Sequence, residues 1–173
     1  GDSTLISWQT NPNLLPEALG IDARHHEEFS VLFRERDTIK RFTLFDDVLT
    51  IIDGLGHRDL RTGILSNNDE VVRLMTELDI HHHFEVIVSP QTFGVGKPDP
   101  AIFLRTMELL DLPPERAIYV GDSYDNDVIG ARAAGLTPVL IDRFLINLDS
   151  PDAGHRVETL HDLAELLDRL IAG

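Results

Sequence analysis

Residues 118–127 of the chain have the sequence IYVGDSYDND. An apolar strand leads into Gly121 and Asp122, and a second carboxylate, Asp127, follows five residues later. Open α/β sheets bind ligands at the carboxyl ends of their strands. Carboxylates at such an end suit Mg²⁺, which binds carboxylates, water and substrate phosphate rather than a full protein cage. The stretch therefore predicts an α/β fold, metal-assisted chemistry on a phosphate, and Asp122 and Asp127 as metal ligands.

The surroundings of this stretch make the pattern more specific. A glycine and an aspartate after a strand also occur in ordinary turns, but here Ser123, the second aspartate and the small-residue segment 130–135 accompany them. The alternative interpretation is a helix cap with a solvated first turn. Asp125 is predicted to be a solvated neighbour.

A second motif, GILSNN, covers residues 63–68. Ser66 would lie at a strand tip, next to the backbone N–H groups of a helix start, where a hydroxyl can hold a phosphate oxygen. The alternative is that Ser66 only caps the helix. We include Asn67 with Ser66 in the predicted phosphate site.

A third motif, FGVGKPDP, covers residues 93–100. Two glycines let the loop approach a ligand, and two prolines stiffen the chain that follows. Lys97 can offset charge between a phosphate and carboxylates. The alternative is a surface lysine in a turn, but the chain has only two lysines, Lys40 and Lys97.

The composition is that of a globular protein of 173 residues, with 42% hydrophobic and 26% charged residues. This length predicts one domain with a small insertion. The absence of cysteine excludes disulfides and thiolate metal sites, and it fits a cytoplasmic protein. A formal net charge of −15 argues against a nucleic-acid partner, and no apolar run is long enough for a membrane span.

The spacing of apolar residues predicts alternating strands and helices from residue 60 onward. The predicted strands cover residues 60–65, 84–88, 117–120 and 137–141. One predicted helix follows residue 68, and a second begins at Pro100 with Asp99 as its cap. Two further helices cover residues 126–134 and 158–171. This order indicates βαβ units and a Rossmann-like parallel sheet with flanking helices.

The first third of the chain has a different pattern. Residues 25–37 and 44–55 both have the apolar spacing of helices, and the second helix would bury Phe45 and Leu49 among others. We predict a small helical cap or insertion over residues 8–44, followed by the core domain over residues 45–173.

Three consecutive histidines, His81, His82 and His83, resemble a metal-ligand cluster. Consecutive side chains in a turn between a helix and a strand point in different directions. We therefore expect no metal site made of these three histidines.

The motifs at Ser66, Lys97 and Asp122 together resemble the second, third and fourth motifs of the haloacid dehalogenase superfamily. The resemblance is to its branch with a helical cap near the N-terminus and covers about residues 45–173. It implies a Rossmann-like fold, Mg²⁺ as cofactor, a small phosphorylated substrate and phosphoryl transfer through an aspartyl-phosphate. It also implies that Ser66 holds a phosphoryl oxygen, that Lys97 neutralises the transferred group, and that Asp127 supports the metal held by Asp122.

The first motif of that family is an apolar strand ending in Asp-x-Asp-x-Thr, and the segment 1–7 matches only its second half. The resemblance makes Asp2 the general acid and base, with its backbone carbonyl as a metal ligand, and places the nucleophile just before Gly1. Three explanations stay open: an incomplete copy of a longer protein, Asp2 as the nucleophile, or a non-catalytic relative. The resemblance thus implies a phosphatase, with a 2-haloacid dehalogenase or an inactive phosphate-binding module as alternatives.

Overall fold

The computed structural model of the protein describes residues 22–25, 43–58, 60–146, 150 and 154–172. The chain divides into two compact units, residues 1–42 and 43–173. In the first unit, the described residues contain a 3₁₀ turn, Ala23–His25, and an exposed ion pair between Arg24 and Asp22. Asp2, the predicted helix over 25–37 and most of the predicted cap over 8–44 lie outside the described residues, so these stay predictions.

The second unit alternates strands and helices in chain order. Its strands are β1 (Gly63–Leu65), β2 (Val86–Val88), β3 (Ile118–Gly121), β4 (Thr137–Ile141) and β5 (His155–Val157). Its helices are α1 (Val48–Gly56), α2 (Val71–Glu77), α3 (Pro90–Phe93), α4 (Pro100–Leu109), α5 (Ile129–Ala133) and α6 (Leu160–Ala172). Two 3₁₀ turns, His81–His83 and Pro114–Arg116, and a π-helix, Tyr124–Val128, complete the described elements.

All described strand pairs are parallel. β1 pairs with β2, with Ile64 opposite Ile87. β4 lies between β3 and β5, with Val120 opposite Val139 and Leu140 opposite Arg156. The strands form one two-stranded and one three-stranded parallel sheet, and helices connect β1 to β2, β2 to β3 and β3 to β4. This arrangement confirms the predicted α/β, Rossmann-like fold.

Two apolar clusters form the core. The first lies between β1, β2, α4 and α5, where Ile102 and Phe103 are fully buried. Burial of side chains of this size contributes about 1.5–3 kcal/mol each. The second joins β4 and β5 to α6 through Val139, Val157 and Leu163. Both clusters hold the strands in place, and so fix the positions of the residues at the strand ends.

Several sequence-based boundaries are confirmed and others need correction. β4 has its predicted bounds, and Asp99 caps α4 by accepting a hydrogen bond from the Ala101 N–H at 2.9 Å. The helix predicted over 44–55 begins later, at Val48, and Phe45 and Leu49 are about half exposed rather than buried. Ile51 takes the buried position, since α1 turns that side toward the core.

One strand was not predicted, and one predicted helix has a different form. β5 is three residues long and carries a histidine and an arginine, so it lacks an apolar strand pattern. The helix predicted over 126–134 is a π-helix followed by the shorter α5. Within the described part of the chain, none of the helices combines the length and apolar character needed to cross a bilayer.

Candidate active site

Asp122 comes directly after the last residue of β3, at the carboxyl end of the strand. Its side chain is exposed, so an ion or a substrate can reach it. The next residue, Ser123, caps the π-helix, because its hydroxyl oxygen accepts hydrogen bonds from the Asn126 backbone N–H and side-chain amide. This cap turns the chain back so that Asp127 returns toward β3.

Asp127 is buried, with only 3% of its side chain exposed. Its Oδ1 accepts a hydrogen bond from the Lys97 ammonium at 2.5 Å and one from the Tyr119 hydroxyl at 3.2 Å. Its Oδ2 accepts one from the Ser123 backbone N–H at 2.9 Å. A buried carboxylate is costly unless it is paired, and here both oxygens have partners. Asp127 therefore holds Lys97 in place.

Gly121 allows the Asp127 carboxylate to lie against the backbone of β3. A Cβ atom at residue 121 would collide with the Asp127 carboxylate. Glycine is required at residue 121 because the Asp127 carboxylate occupies the space that a side chain there would fill.

The loop that carries Lys97 is fixed at its backbone by Asn67. The Asn67 side-chain amide donates to the Lys97 carbonyl at 2.9 Å, and its Oδ1 accepts from the Lys97 N–H at 2.8 Å. A Cβ on Gly96 would lie 2.9 Å from Asn67 Oδ1, so this glycine is also required by close packing. Predicted as a phosphate-binding residue, Asn67 uses its amide in this structure to position Lys97.

Tyr119 was missed by the sequence analysis. Its hydroxyl accepts a hydrogen bond from the Lys97 ammonium at 2.9 Å and shares its single proton between two acceptors at 3.2 Å, the Asp127 carboxylate and the Leu65 carbonyl. Burial, the charge of Asp127 and the hydrogen bond to it raise the pKa of Tyr119 well above its ordinary value. The residue therefore stays a neutral donor and links the end of β1 to β3.

One signal in the sequence could have identified Tyr119. Alternate residues of a strand point to the same face, so Tyr119 and Gly121 share a face of β3. A tyrosine hydroxyl on the face that carries the required glycine, in an otherwise aliphatic strand, indicates a polar partner nearby.

Ser66 follows β1 and is half-buried. Its N–H donates to the Val88 carbonyl at 3.0 Å, and its hydroxyl oxygen accepts from the Asn68 N–H at 3.1 Å. The structure thus brings Asn67, Lys97 and Asp127 into direct contact. Ser66 lies at the carboxyl end of β1 and Asp122 at that of β3. The Tyr119 hydroxyl connects these two strands through its contact with the Leu65 carbonyl.

The donor set fits Mg²⁺. Asp122 presents an exposed carboxylate, and Mg²⁺ is commonly bound by one or two carboxylates together with water and substrate phosphate. No thiolate ligand is available, because the chain has no cysteine.

Comparison with known proteins identifies the family of this chain. The model of the haloacid dehalogenase-like hydrolase family matches residues 13–141. The chain is 34% identical over 160 residues to a phosphoserine phosphatase of Thermus thermophilus, covering 88% of this chain and 62% of that protein. It is 35% identical over 101 residues to a glyceraldehyde 3-phosphate phosphatase of Methanopyrus kandleri, covering 57% of this chain and 43% of that protein.

The fold is shared with solved structures. A crystal structure of a HAD phosphatase from Thermococcus onnurineus superposes with a TM-score of 0.70 at 24% identity, covering 90% of this chain and 85% of that one. The chain spans between about two fifths and two thirds of the length of the two relatives named above. From the family match and the shared fold, we conclude that the chain belongs to the haloacid dehalogenase-like hydrolase family.

Proposed function

We propose that this protein is a Mg²⁺-dependent phosphatase that hydrolyses a small phosphorylated metabolite through an aspartyl-phosphate. The names of the two relatives support this class, since phosphoserine and glyceraldehyde 3-phosphate are both small phosphate monoesters. The family is named after haloacid dehalogenases, so membership alone does not distinguish a phosphatase from a dehalogenase. The residues of the site must make that distinction.

The observation that carries the proposal is the buried Lys97–Asp127–Tyr119 cluster beside the exposed Asp122. Asp127 and Tyr119 together hold the Lys97 ammonium at the carboxyl ends of the strands. In a chain with a formal net charge of −15, a phosphate dianion needs such a local cation in order to bind. A fixed ammonium also stabilises charge that develops on the transferring group.

Asp122 would hold the metal ion directly, and the family resemblance makes the Asp2 carbonyl a second ligand and Asp127 a supporting residue that acts through water. When bound, Mg²⁺ would neutralise the negative charge of the phosphoryl group. The Lys97 ammonium would contact the same group, and Ser66 would donate a hydrogen bond to one of its oxygens.

The reaction would proceed in two displacements at phosphorus. An aspartate carboxylate, which the family resemblance places just before Gly1, would attack phosphorus and release the alcohol, whose oxygen takes a proton from Asp2. Asp2 would then remove a proton from the water that attacks the acyl phosphate, releasing inorganic phosphate and restoring the aspartate.

The test measures phosphate release from a panel of small phosphate monoesters, using protein made from the complete reading frame that contains this chain. We expect turnover that requires Mg²⁺, and a fall of about 10²–10³-fold in kcat for Asp122→Asn. Asp125→Asn is the matched control, because Asp125 is an exposed aspartate in the same turn. Equal loss in both variants would contradict the role of Asp122.

Two other outcomes would replace the proposal. Halide release from 2-haloacids without Mg²⁺ would indicate a dehalogenase. Absence of turnover with every metal, combined with a rise in melting temperature on adding inorganic phosphate, would indicate a phosphate-binding module.

A further inference from the structure

The turn between α2 and β2 carries a second group of metal-ligand side chains, apart from the candidate active site. Asp79, His81 and His82 each offer one ligand atom, and these atoms all lie within 4.8 Å of one another. All three residues are exposed to solvent. The sequence-based expectation considered only the three histidines and so left out the aspartate that completes this group.

The backbone of the turn is held where the chain leaves α2. The Asp79 N–H donates to the Thr76 carbonyl and the Ile80 N–H to the Met75 carbonyl, both at 3.0 Å. Ile80 is 4% exposed and fastens the turn to the core. Asp79 has a φ of 55°, a left-handed conformation that aspartate and asparagine tolerate better than most residues. The ligand side chains therefore start from fixed positions.

Asp79, with its left-handed φ, lies just before the 3₁₀ turn His81–His83. The reversal of the chain at this point brings His82 Nδ1 to 3.9 Å from Asp79 Oδ1. The His81 ring lies next to the His82 ring, at 5.6 Å between centroids and nearly perpendicular to it.

His83 has different surroundings. Its Nδ1 lies 3.8 Å from Asp53 Oδ1 on α1, and its side chain is only 23% exposed. The His83 ring contacts the His82 ring, at 4.1 Å between centroids, but its Nδ1 faces α1 and it is not one of the three grouped ligand residues. His83 therefore serves as an internal control for the other two histidines.

We propose that Asp79, His81 and His82 form a surface site for a divalent transition-metal ion such as Zn²⁺. Two imidazole nitrogens and one carboxylate oxygen form a common zinc ligand set, with bonds of about 2.0–2.2 Å. Ligand atoms around a tetrahedral zinc ion lie about 3.3 Å apart, a spacing that exposed side chains 4.8 Å apart or less reach by small rotations. The fourth position stays open to water or to an outside ligand.

This site is independent of the proposed phosphatase activity. Mg²⁺ prefers an all-oxygen octahedral shell, whereas imidazole favours zinc, nickel and copper. The two sites should therefore separate by metal: Mg²⁺ at Asp122 and zinc at the turn.

The experiment titrates the purified protein with ZnCl₂ in a calorimeter, in the presence of excess MgCl₂. We expect one zinc equivalent that is lost, or bound at least about tenfold more weakly, in His81→Gln/His82→Gln. Asp79→Asn keeps a residue that tolerates the left-handed backbone but removes the charge, so it should also weaken binding. His83→Gln should bind zinc like the unchanged protein.

A second readout guards against binding by the other histidines of the chain. Co²⁺ in place of zinc should give the visible absorption of a tetrahedral ion in the unchanged protein and in His83→Gln, and lose it in the double variant. Zinc binding of unchanged affinity, or a tetrahedral Co²⁺ spectrum that persists, in the double variant would overturn the proposal. Absence of zinc binding by the unchanged protein would overturn it as well.

Discussion

Lys97 and Asp127 form one buried ion pair of the second unit, and Arg143 and Asp47 form another. The two pairs are similarly buried: the side chains are 12% and 3% exposed in the first, and 18% and 8% in the second. Both carboxylates also accept a backbone N–H, from Ser123 in the case of Asp127 and from Leu160 in the case of Asp47. Burial and pairing alone therefore do not distinguish a functional pair from a structural one.

The surroundings of the two pairs differ. Lys97 has polar neighbours: Tyr119 contacts its ammonium, Asn67 holds its backbone, and the exposed Asp122 follows the same strand as Tyr119. Arg143 lies over the Phe45 ring at 4.3 Å, and Phe45 in turn contacts Phe144. We infer that Arg143 and Asp47 fasten the start of α1 to the start of α6, whereas Lys97 and Asp127 serve chemistry.

The largest effects should come from removing the cation of each pair. Lys97→Ala and Arg143→Ala should each lower the free energy of unfolding by up to about 3–5 kcal/mol, because a buried carboxylate loses its partner. Only Lys97→Ala should also lower kcat for phosphate release, by about 10²–10³-fold. Denaturant unfolding and the phosphatase assay measure the two effects.

Lys97→Arg tests the same difference in a chain that keeps the positive charge. Guanidinium cannot take the place of an ammonium held by two oxygens, so turnover should fall while the protein stays folded. A fall in kcat for Arg143→Ala as large as that for Lys97→Ala would remove the distinction between the pairs.

Gly121→Ala should have the next largest effect. The added methyl group would displace the Asp127 carboxylate, and overpacking of this kind costs about 1–3 kcal/mol. Turnover should fall with stability, since Asp127 holds Lys97. Gly56→Ala at the end of α1 is the control, because its Cβ meets nothing within 4 Å and the change should be neutral or slightly stabilising.

Asp47→Asn tests the structural pair through its dependence on pH. Burial by itself would raise the pKa of Asp47, but the hydrogen bond and charge of Arg143 and the Leu160 N–H outweigh it and lower the pKa. The charged form thus stabilises the fold above the unfolded-state pKa of about 3.9, and this contribution is lost as the pH falls through the folded-state value.

The expected result is a stability difference between the unchanged protein and Asp47→Asn of about 1.5–3 kcal/mol at neutral pH. This difference should stay constant down to about pH 5 and shrink below about pH 4. Urea unfolding at several pH values measures it. A difference that does not change with pH would show that the Asp47 charge contributes nothing to stability.

Tyr119→Phe should have the smallest effect. The ring keeps its edge contact with Phe103, at 4.9 Å between centroids, but the hydroxyl contacts to Lys97, Asp127 and Leu65 are lost. We expect a loss of about 0.5–1.5 kcal/mol in stability and about tenfold in kcat/KM. Tyr124→Phe, in the other tyrosine of the chain, should leave kcat/KM near its original value.

The pH profile separates positioning from proton transfer by Tyr119. Because the pKa of Tyr119 is raised well above its ordinary value, the hydroxyl stays protonated over the range of the assay. The kcat/KM profile of Tyr119→Phe should therefore be lower but unchanged in shape. Loss of its alkaline limb would contradict a purely positioning role.

Much of the fold could be predicted because its signals are local. Residues 137–141 are a short apolar run that follows Gly135, whose φ is +85°, and they form β4 at the predicted bounds. Asp99 before Pro100 is a local capping signal and starts α4 as expected. β5 has no such signal, since His155 and Arg156 become a strand only by pairing with β4.

The sequence by itself determined the α/β class and the carboxylates after β3, because strand and helix periods and capping residues act over a few neighbouring positions. The tertiary structure decided the partners. Asp127 meets Lys97 across 30 residues, and the Tyr119 hydroxyl lies against the Leu65 carbonyl across 54. Such contacts depend on which strand ends lie side by side, and this is set by the packing of the whole core rather than by any local pattern.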